Sequence, residues 1–317
     1  EQLASMSEIY IFLDYREQFY SSSKKQGTSV DIGRLCAYLT GLGYAVTVKQ
    51  FTYINFRTQD YANKWVLYQS SEDPGAFYKG YIEDILLGLH LQGARLIPLF
   101  QFFVAHNNKN FMEILRDQSS SVEIRNLHAR SYGTYEDYLK EIRNFGSKPY
   151  VIKSSAGSRS KYVRSLFTER DILKVPKVMS RTFTLQNVRY LVRKFFNGKS
   201  FLPVSLHRRK FIIQEYISGL GGDYKVIAYN TKLYIFHRQN RTNDFRASGS
   251  MKFNYLTDVP PGLLDFADRI YRSFNVPYIS MDIAVSDRGL FLLEFQFLCF
   301  GQRAIEMSSY CYEKTDG

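Results

Sequence analysis

Ser280-Met-Asp-Ile-Ala-Val-Ser-Asp-Arg-Gly-Leu-Phe-Leu-Leu-Glu-Phe-Gln296 reads as two apolar strands joined by a short turn at Asp287 to Gly289. One carboxylate sits in each strand, Asp282 in the first and Glu294 in the second. Antiparallel neighbours bring paired positions to within about 5 Å. Carboxylates inside apolar strands are costly unless a cation or hydrogen bonds compensate them. Oxygen ligands at that separation suit Mg²⁺ bridging nucleotide phosphates. Gln296, two residues beyond Glu294, points to the same face and offers a third oxygen. Read alone, the pair fits strand-edge salt bridges equally well.

Upstream, Asn243-Asp-Phe-Arg-Ala-Ser-Gly-Ser250 is a polar loop that sets Arg246 among small residues. A guanidinium there suits bidentate contact with phosphate or carboxylate, and Arg238 and Arg241 add positive potential; the alternative is an ordinary surface turn. Further upstream, Gln214-Glu-Tyr-Ile217 ends an apolar strand and runs into Gly219, Gly221 and Gly222. Such an edge can present backbone amides and Glu215 to a planar base. Pro149-Tyr-Val-Ile-Lys153 is another strand, followed by the small-residue loop Ser154 to Lys161. A strand-terminal lysine before such a loop fits a phosphate cradle, although the Gly-Lys-Ser/Thr ending of a Walker A loop is absent.

The amino-terminal part alternates strand, helix and strand. Ile9 to Leu13 and Tyr44 to Val48 are apolar strands flanking a helix over 29–42, the start of a parallel α/β unit. Trp65 to Tyr68 and Leu96 to Leu99 predict further strands around a helix over 78–91. The natural chain is expected to start at Met6. The 317 residues are 45% hydrophobic and 16% aromatic, which excludes wholesale disorder and leaves room for two or three lobes. No apolar run approaches the roughly 20 residues of a membrane span. Three cysteines and five histidines show no metal-ligand spacing, which argues for a reducing, cytoplasmic location and against a transition-metal site. The net charge of +12 fits an acidic partner such as nucleotide phosphates or an anionic substrate, but the dispersed basic residues fit a solvated basic surface as well, so charge alone does not decide function. A nucleic-acid partner would explain the charge but leaves the Asp282/Glu294 pair unexplained, so it is not the partner expected.

In this order, the stretches around Lys153, Gln214, Arg246 and Asp282 resemble the ATP-grasp superfamily. They are most similar to the branch holding the ribosomal-protein glutamate ligase and the glutathione synthetases. The Asn243 to Ser250 wording is similar to that of a subset tied to bacterial surface-polysaccharide gene clusters. The resemblance implies an α/β ATP-grasp fold, in which two α+β lobes clasp the nucleotide behind an N-terminal pre-ATP-grasp α/β lobe. The implied boundaries are 1–115 for that first lobe, 116–213 for the central lid and 214–317 for the C-terminal lobe with the metal site. It implies ATP and Mg²⁺ as cofactors and, as partners, a small-molecule or biopolymer carboxylate and an amine. Gln214, Glu215, Tyr216 and Ile217 would line the adenine pocket. Lys109, Lys153, Asp223 and Ser158 would meet the nucleotide. Asp282, Glu294 and Gln296 would hold the metal, while Arg246 and Lys225 would be catalytic. Three positions depart from the family pattern: Gln296 and Ser248 stand where asparagine is usual, and Lys225 where arginine is. The implied activity is an ADP-forming carboxylate–amine ligation through an acyl phosphate. The alternative is a nucleotide-binding relative without ligase activity, such as a phosphotransferase or regulatory subunit.

Overall fold

β1 (Glu8–Leu13) is apolar on both faces, and both are covered. Ile9, Ile11 and Leu13 pack with Ile32, Leu35, Cys36 and Leu39 of α1 (Ile32–Gly41). Phe12, pointing the other way, joins Ile82, Leu86 and Leu89 of α2 (Phe77–Leu91). That two-sided burial is the signature of a parallel sheet. β1 indeed lies inside a parallel sheet of order β2-β1-β3-β4, with β2 (Ala45–Gln50), β3 (Trp65–Leu67) and β4 (Arg95–Ile97). Trp65, the chain's single tryptophan, carries the Arg95 guanidinium 5.1 Å from its ring centre. The computed structural model describes residues 7–20, 30–142, 149–157, 162–182, 204–240, 253–255, 258–298 and 310–314, with isolated positions at 184, 187, 189, 192, 193, 195, 196, 247, 305 and 308.

The chain leaves the first lobe through α3 (Phe100–Ala105) and α4 (Lys109–Gln118). Two neighbouring residues of α3 enter different cores. Phe103 joins the first lobe's cluster, while Phe102 lies 4.1 Å, centre to centre, from the Phe297 ring in the last lobe. A short α5 (Val122–Arg125) precedes the second sheet.

That sheet has the order β5-β8-β6-β7 and is antiparallel throughout, from β5 (Ala129–Tyr132), β6 (Tyr150–Ser154), β7 (Val163–Leu166) and β8 (Phe211–Glu215). Its Ile152, Leu166, Phe211 and Ile213 pack under α6 (Tyr135–Glu141) and α7 (Glu169–Met179). By the two-residue alternation of a strand, Val151, Lys153 and Gln214 face the other way. The boundary expected after residue 213 falls inside β8, because Gln214 and Glu215 still pair with Val151 and Tyr150. No turn residue precedes Gln214, so the sequence carries no mark of where this sheet ends. The boundary after residue 115 likewise falls inside α4.

The third sheet runs β11-β10-β9-β12-β13, from β9 (Gly222–Tyr229), β10 (Lys232–Gln239), β11 (Phe253–Tyr255), β12 (Tyr278–Ser286) and β13 (Gly289–Gln296). β14 (Tyr312–Glu313) pairs with the start of β10. One face, with Val226, Met281, Ile283 and Phe295, packs against Phe266, Ala267 and Ile270 of the Leu263–Phe274 helix. The opposite face carries the charged residues. Among the described residues no helix is long and apolar enough to cross a membrane.

Candidate nucleotide-binding cleft

The uncovered faces of the second and third sheets border one cleft. Val151, Lys153, Val163 and Gln214 line it from the second sheet, and Asp223, Asp282, Leu293 and Glu294 from the third. Glu215, Tyr216 and Ile217, the chain's passage between the sheets, close one side. It encloses about 760 Å³ of atom-free space, part of it open to solvent.

Strand register assembles the acidic end. Asp282 of β12 lies directly opposite Glu294 of β13 on one side and Lys225 of β9 on the other. At the next step the register shifts, pairing Ile283 with Leu292 and leaving Leu293 as an extra residue. This bulge lets consecutive residues Leu293 and Glu294 both reach the cleft. Lys225 Nζ donates to Asp282 Oδ1 at 3.0 Å. Arg238, opposite Asp223 in the β9–β10 pair, grips it with two bonds of 2.6 and 2.8 Å. Its second nitrogen also lies 2.6 Å from Asp282 Oδ2. Burial alone would raise the Asp282 carboxyl, but Arg238 and Lys225 outweigh it and hold the group well below the usual carboxylate range. Asp223 shares the same guanidinium and is pushed up by its burial. Gly222 makes the close pairing possible: a Cβ there would land on the Arg238 carbonyl and the His237 ring.

The basic side is built on α4 and β6. Asn108 caps α4, and its side-chain oxygen accepts from Phe111 N, Ser155 Oγ and Lys210 Nζ at 3.4, 3.1 and 2.9 Å. This fixes the helix start against the end of β6. Lys109 then reaches Glu294 at 3.2 Å and donates to the Gly157 carbonyl at 3.1 Å. Two turns on, Arg116 is fully buried, bonded to Glu113 at 2.6 Å and to the Ile124 carbonyl at 2.8 Å. Lys153 is 8% exposed, and its ammonium has no hydrogen bond or ion pair among the described residues; burial pushes its pKa down. Gln214 is 2% exposed, and its side-chain nitrogen also has no partner. A buried cation and an orphaned amide facing one cleft are expensive unless a ligand completes them.

Lys109, Lys153, Gln214, Glu215, Tyr216, Ile217, Asp223, Lys225, Asp282 and Glu294, singled out in the sequence, thus surround one cleft or pair with its lining. Gln296 lies two residues beyond Glu294, opposite Ser280, and does not line the cleft. Glu215 turns its carboxylate to Arg288 of the β12–β13 turn, at 2.9 Å. Asp223 lines the cleft with its carboxylate bonded to Arg238. Arg246 and Ser158 lie outside the described residues; Ala247, next to Arg246, lines the cleft. Sequence reading missed the bridging role of Arg238, the Glu113–Arg116 pair and Leu293. For Arg238 a signal existed: β10 places it in alternation with Phe236, where both point to one face.

His106 borders this region, 2% exposed, with one ring nitrogen unpartnered. Burial, reinforced by Lys79 and Lys109, pushes its imidazole down to about 3. The unfolded value is about 6.5. The neutral ring therefore contributes stability that is complete above pH 6.5 and is lost as pH falls toward 3. The expected cost is roughly 1.4 kcal/mol per pH unit in that window. Urea unfolding of wild type and His106→Gln from pH 7 to 4.5 checks it: the wild-type advantage should shrink on acidification. A constant difference would show that His106 does not titrate on unfolding.

No protein-family model matches the sequence, and no curated protein matches it either. Solved structures do match in fold. D-cycloserine synthetase DcsG superposes with a TM-score of 0.52 at 13% identity, over 92% of this chain and 91% of that one. The ATP-grasp ligase PsnB, solved with a minimal precursor, Mg and ADP, gives 0.51 at 13% identity, over 96% and 93%. The chain has the ATP-grasp fold. At this identity the likeness concerns the architecture alone.

Proposed function

We propose that the protein is an ATP-dependent ligase that activates a carboxylate as an acyl phosphate and joins it to an amine or another nucleophile. The observation that carries this reading is the cleft itself, where a buried lysine and a buried amide from one sheet, neither with a side-chain nitrogen partner among the described residues, face paired carboxylates from the other. PsnB, of the same fold, was solved with Mg and ADP, which supports a nucleotide in the corresponding cleft.

The residues divide the work by chemistry. The Gln214 amide suits the edge of an adenine, where it can donate and accept at once. Lys153 neutralises phosphate oxygens that would otherwise be desolvated without compensation. Asp282 and Glu294 are hard oxygen donors of the kind Mg²⁺ takes, while Gln296, which does not line the cleft, is left out of the donor set. Among the described residues, however, no three His, Cys, Asp or Glu side chains form a metal-binding group. The donor set therefore fits an ion that draws the rest of its coordination from phosphates and water, as Mg²⁺ does. When bound, that ion supplies charge neutralisation on the transferring phosphate. Arg246 is assigned to the transferring phosphoryl group and the later tetrahedral centre.

MgADP or MgATP at 100 times its Kd should add about 2.7 kcal/mol to stability and raise the melting temperature accordingly. ADP release over a panel of acids and amines then tests ligation. A silent melt with silent calorimetry at millimolar nucleotide would overturn the reading. Nucleotide binding without ADP release from any pair would leave a nucleotide-binding relative that is no ligase.

A further inference from the structure

The carboxylates of this cleft are already neutralised by the protein. Asp282 has Lys225 on one oxygen at 3.0 Å and Arg238 on the other at 2.6 Å. Asp223 is held by the same Arg238. Glu294 has Lys109 at 3.2 Å. Each of these carboxylates thus has a cationic partner, and Lys153 is a cation with no hydrogen bond or ion pair among the described residues. This is the reverse of a site built for a bare cation, which presents surplus anionic oxygens. A divalent ion arriving alone would displace an ammonium from each carboxylate and strand it in a partly buried, already cationic cleft. That costs both Coulomb and desolvation energy.

A polyphosphate changes the balance. Its oxygens offer Lys153 the partner it lacks, and offer Lys109 and Lys225 an alternative to Glu294 and Asp282. Both lysines have the reach for this: each ammonium rides on a flexible four-carbon stem. Arg238 does not share this freedom, because it is held from two sides by Asp223 and also contacts Asp282.

Building on the nucleotide-binding reading above, we propose that Lys225 and Lys109 are specificity-determining residues: they close the carboxylates to a bare divalent cation and make the cleft select a polyphosphate anion, which binds without metal. Divalent cation then enters only on the carboxylates that the bound phosphates have freed. A single-point ammonium leaves its carboxylate more readily than a two-pronged guanidinium.

Lys225→Met is the informative variant, since it keeps the side-chain length and leaves Asp282 with Arg238, so the buried carboxylate stays compensated. Two titrations on the full chain read the outcome. The first is ADP by calorimetry, in EDTA and again with Mg²⁺. The second is Mn²⁺, followed by its paramagnetic resonance signal as a stand-in for Mg²⁺, without nucleotide and with ADP. Wild type should bind ADP in EDTA and take up Mn²⁺ only with ADP present. Lys225→Met should weaken ADP in EDTA by roughly tenfold, the scale of one charge-assisted contact. It should also gain Mn²⁺ binding without nucleotide. Two results would overturn the proposal: Mn²⁺ binding to nucleotide-free wild type as tightly as to the variant, or ADP binding that requires divalent metal. The latter would leave the nucleotide reading standing. Failure of ADP to bind under either condition would remove that reading as well.

Discussion

Arg238→Met should lose about 3–5 kcal/mol of folding stability, the scale of removing one partner from a buried ion pair. The guanidinium is the shared counter-charge of Asp223 and Asp282, and the three groups are packed on one sheet face. Methionine fills much of the volume, so the loss would come from stranded carboxylates rather than from a cavity. Urea unfolding followed by far-UV circular dichroism measures it. Arg238→Met combined with Asp223→Leu should recover part of the loss, because one stranded charge is then gone. A single-variant loss below 1 kcal/mol would mean that solvent, and not Arg238, compensates these carboxylates.

Lys153→Met should act in opposite directions on stability and binding. The ammonium is buried with no ion-pair partner among the described residues, so an apolar side chain of similar length relieves a desolvation cost. The free protein should gain on the order of 1–2 kcal/mol, as expected where function keeps a site away from its stability optimum. The same change removes a charged contact to phosphate, and nucleotide affinity should fall about 100-fold. Thermal melts with and without MgADP read both effects. A higher melting temperature together with a vanished ligand shift is the expected pair. A lower melting temperature in the free protein would show that Lys153 is compensated after all.

The sequence was most legible where one periodicity ruled. The Leu263–Phe274 helix can be read off the sequence, because its buried Leu263, Phe266, Ala267 and Ile270 form a clean helical stripe. The hairpin carrying Asp282 and Glu294 was equally readable from two apolar runs about one turn. α4 was not read as a helix, and the reason is physical. Its buried face consists of Lys109, Met112, Glu113 and Arg116, so charges stand where the pattern needs apolar residues. The same burial makes that face part of the cleft's basic wall. α7 was hidden by Pro176 in its last turn, where proline usually marks a break. β5, with only Ala129 to Tyr132 and two polar residues among them, gave too short a run to register. Arg238 was legible as a charge but not as a bridge, because its two partners meet it only through strand register.

α3 also decides how the molecule comes apart. Phe102 belongs to the last lobe's core, while Phe103 and Leu298 belong to the first lobe's, so each core holds side chains delivered by the other's neighbourhood. Melting one of these cores pulls residues out of the other, which couples them into one cooperative unit. The central sheet keeps a separate cluster around Tyr138, Ile152 and Phe211. Trp65 lies in the first lobe, so its emission follows the coupled pair and is blind to a central sheet that loosens early. Intrinsic fluorescence and circular dichroism should therefore diverge in any variant that weakens the central sheet alone.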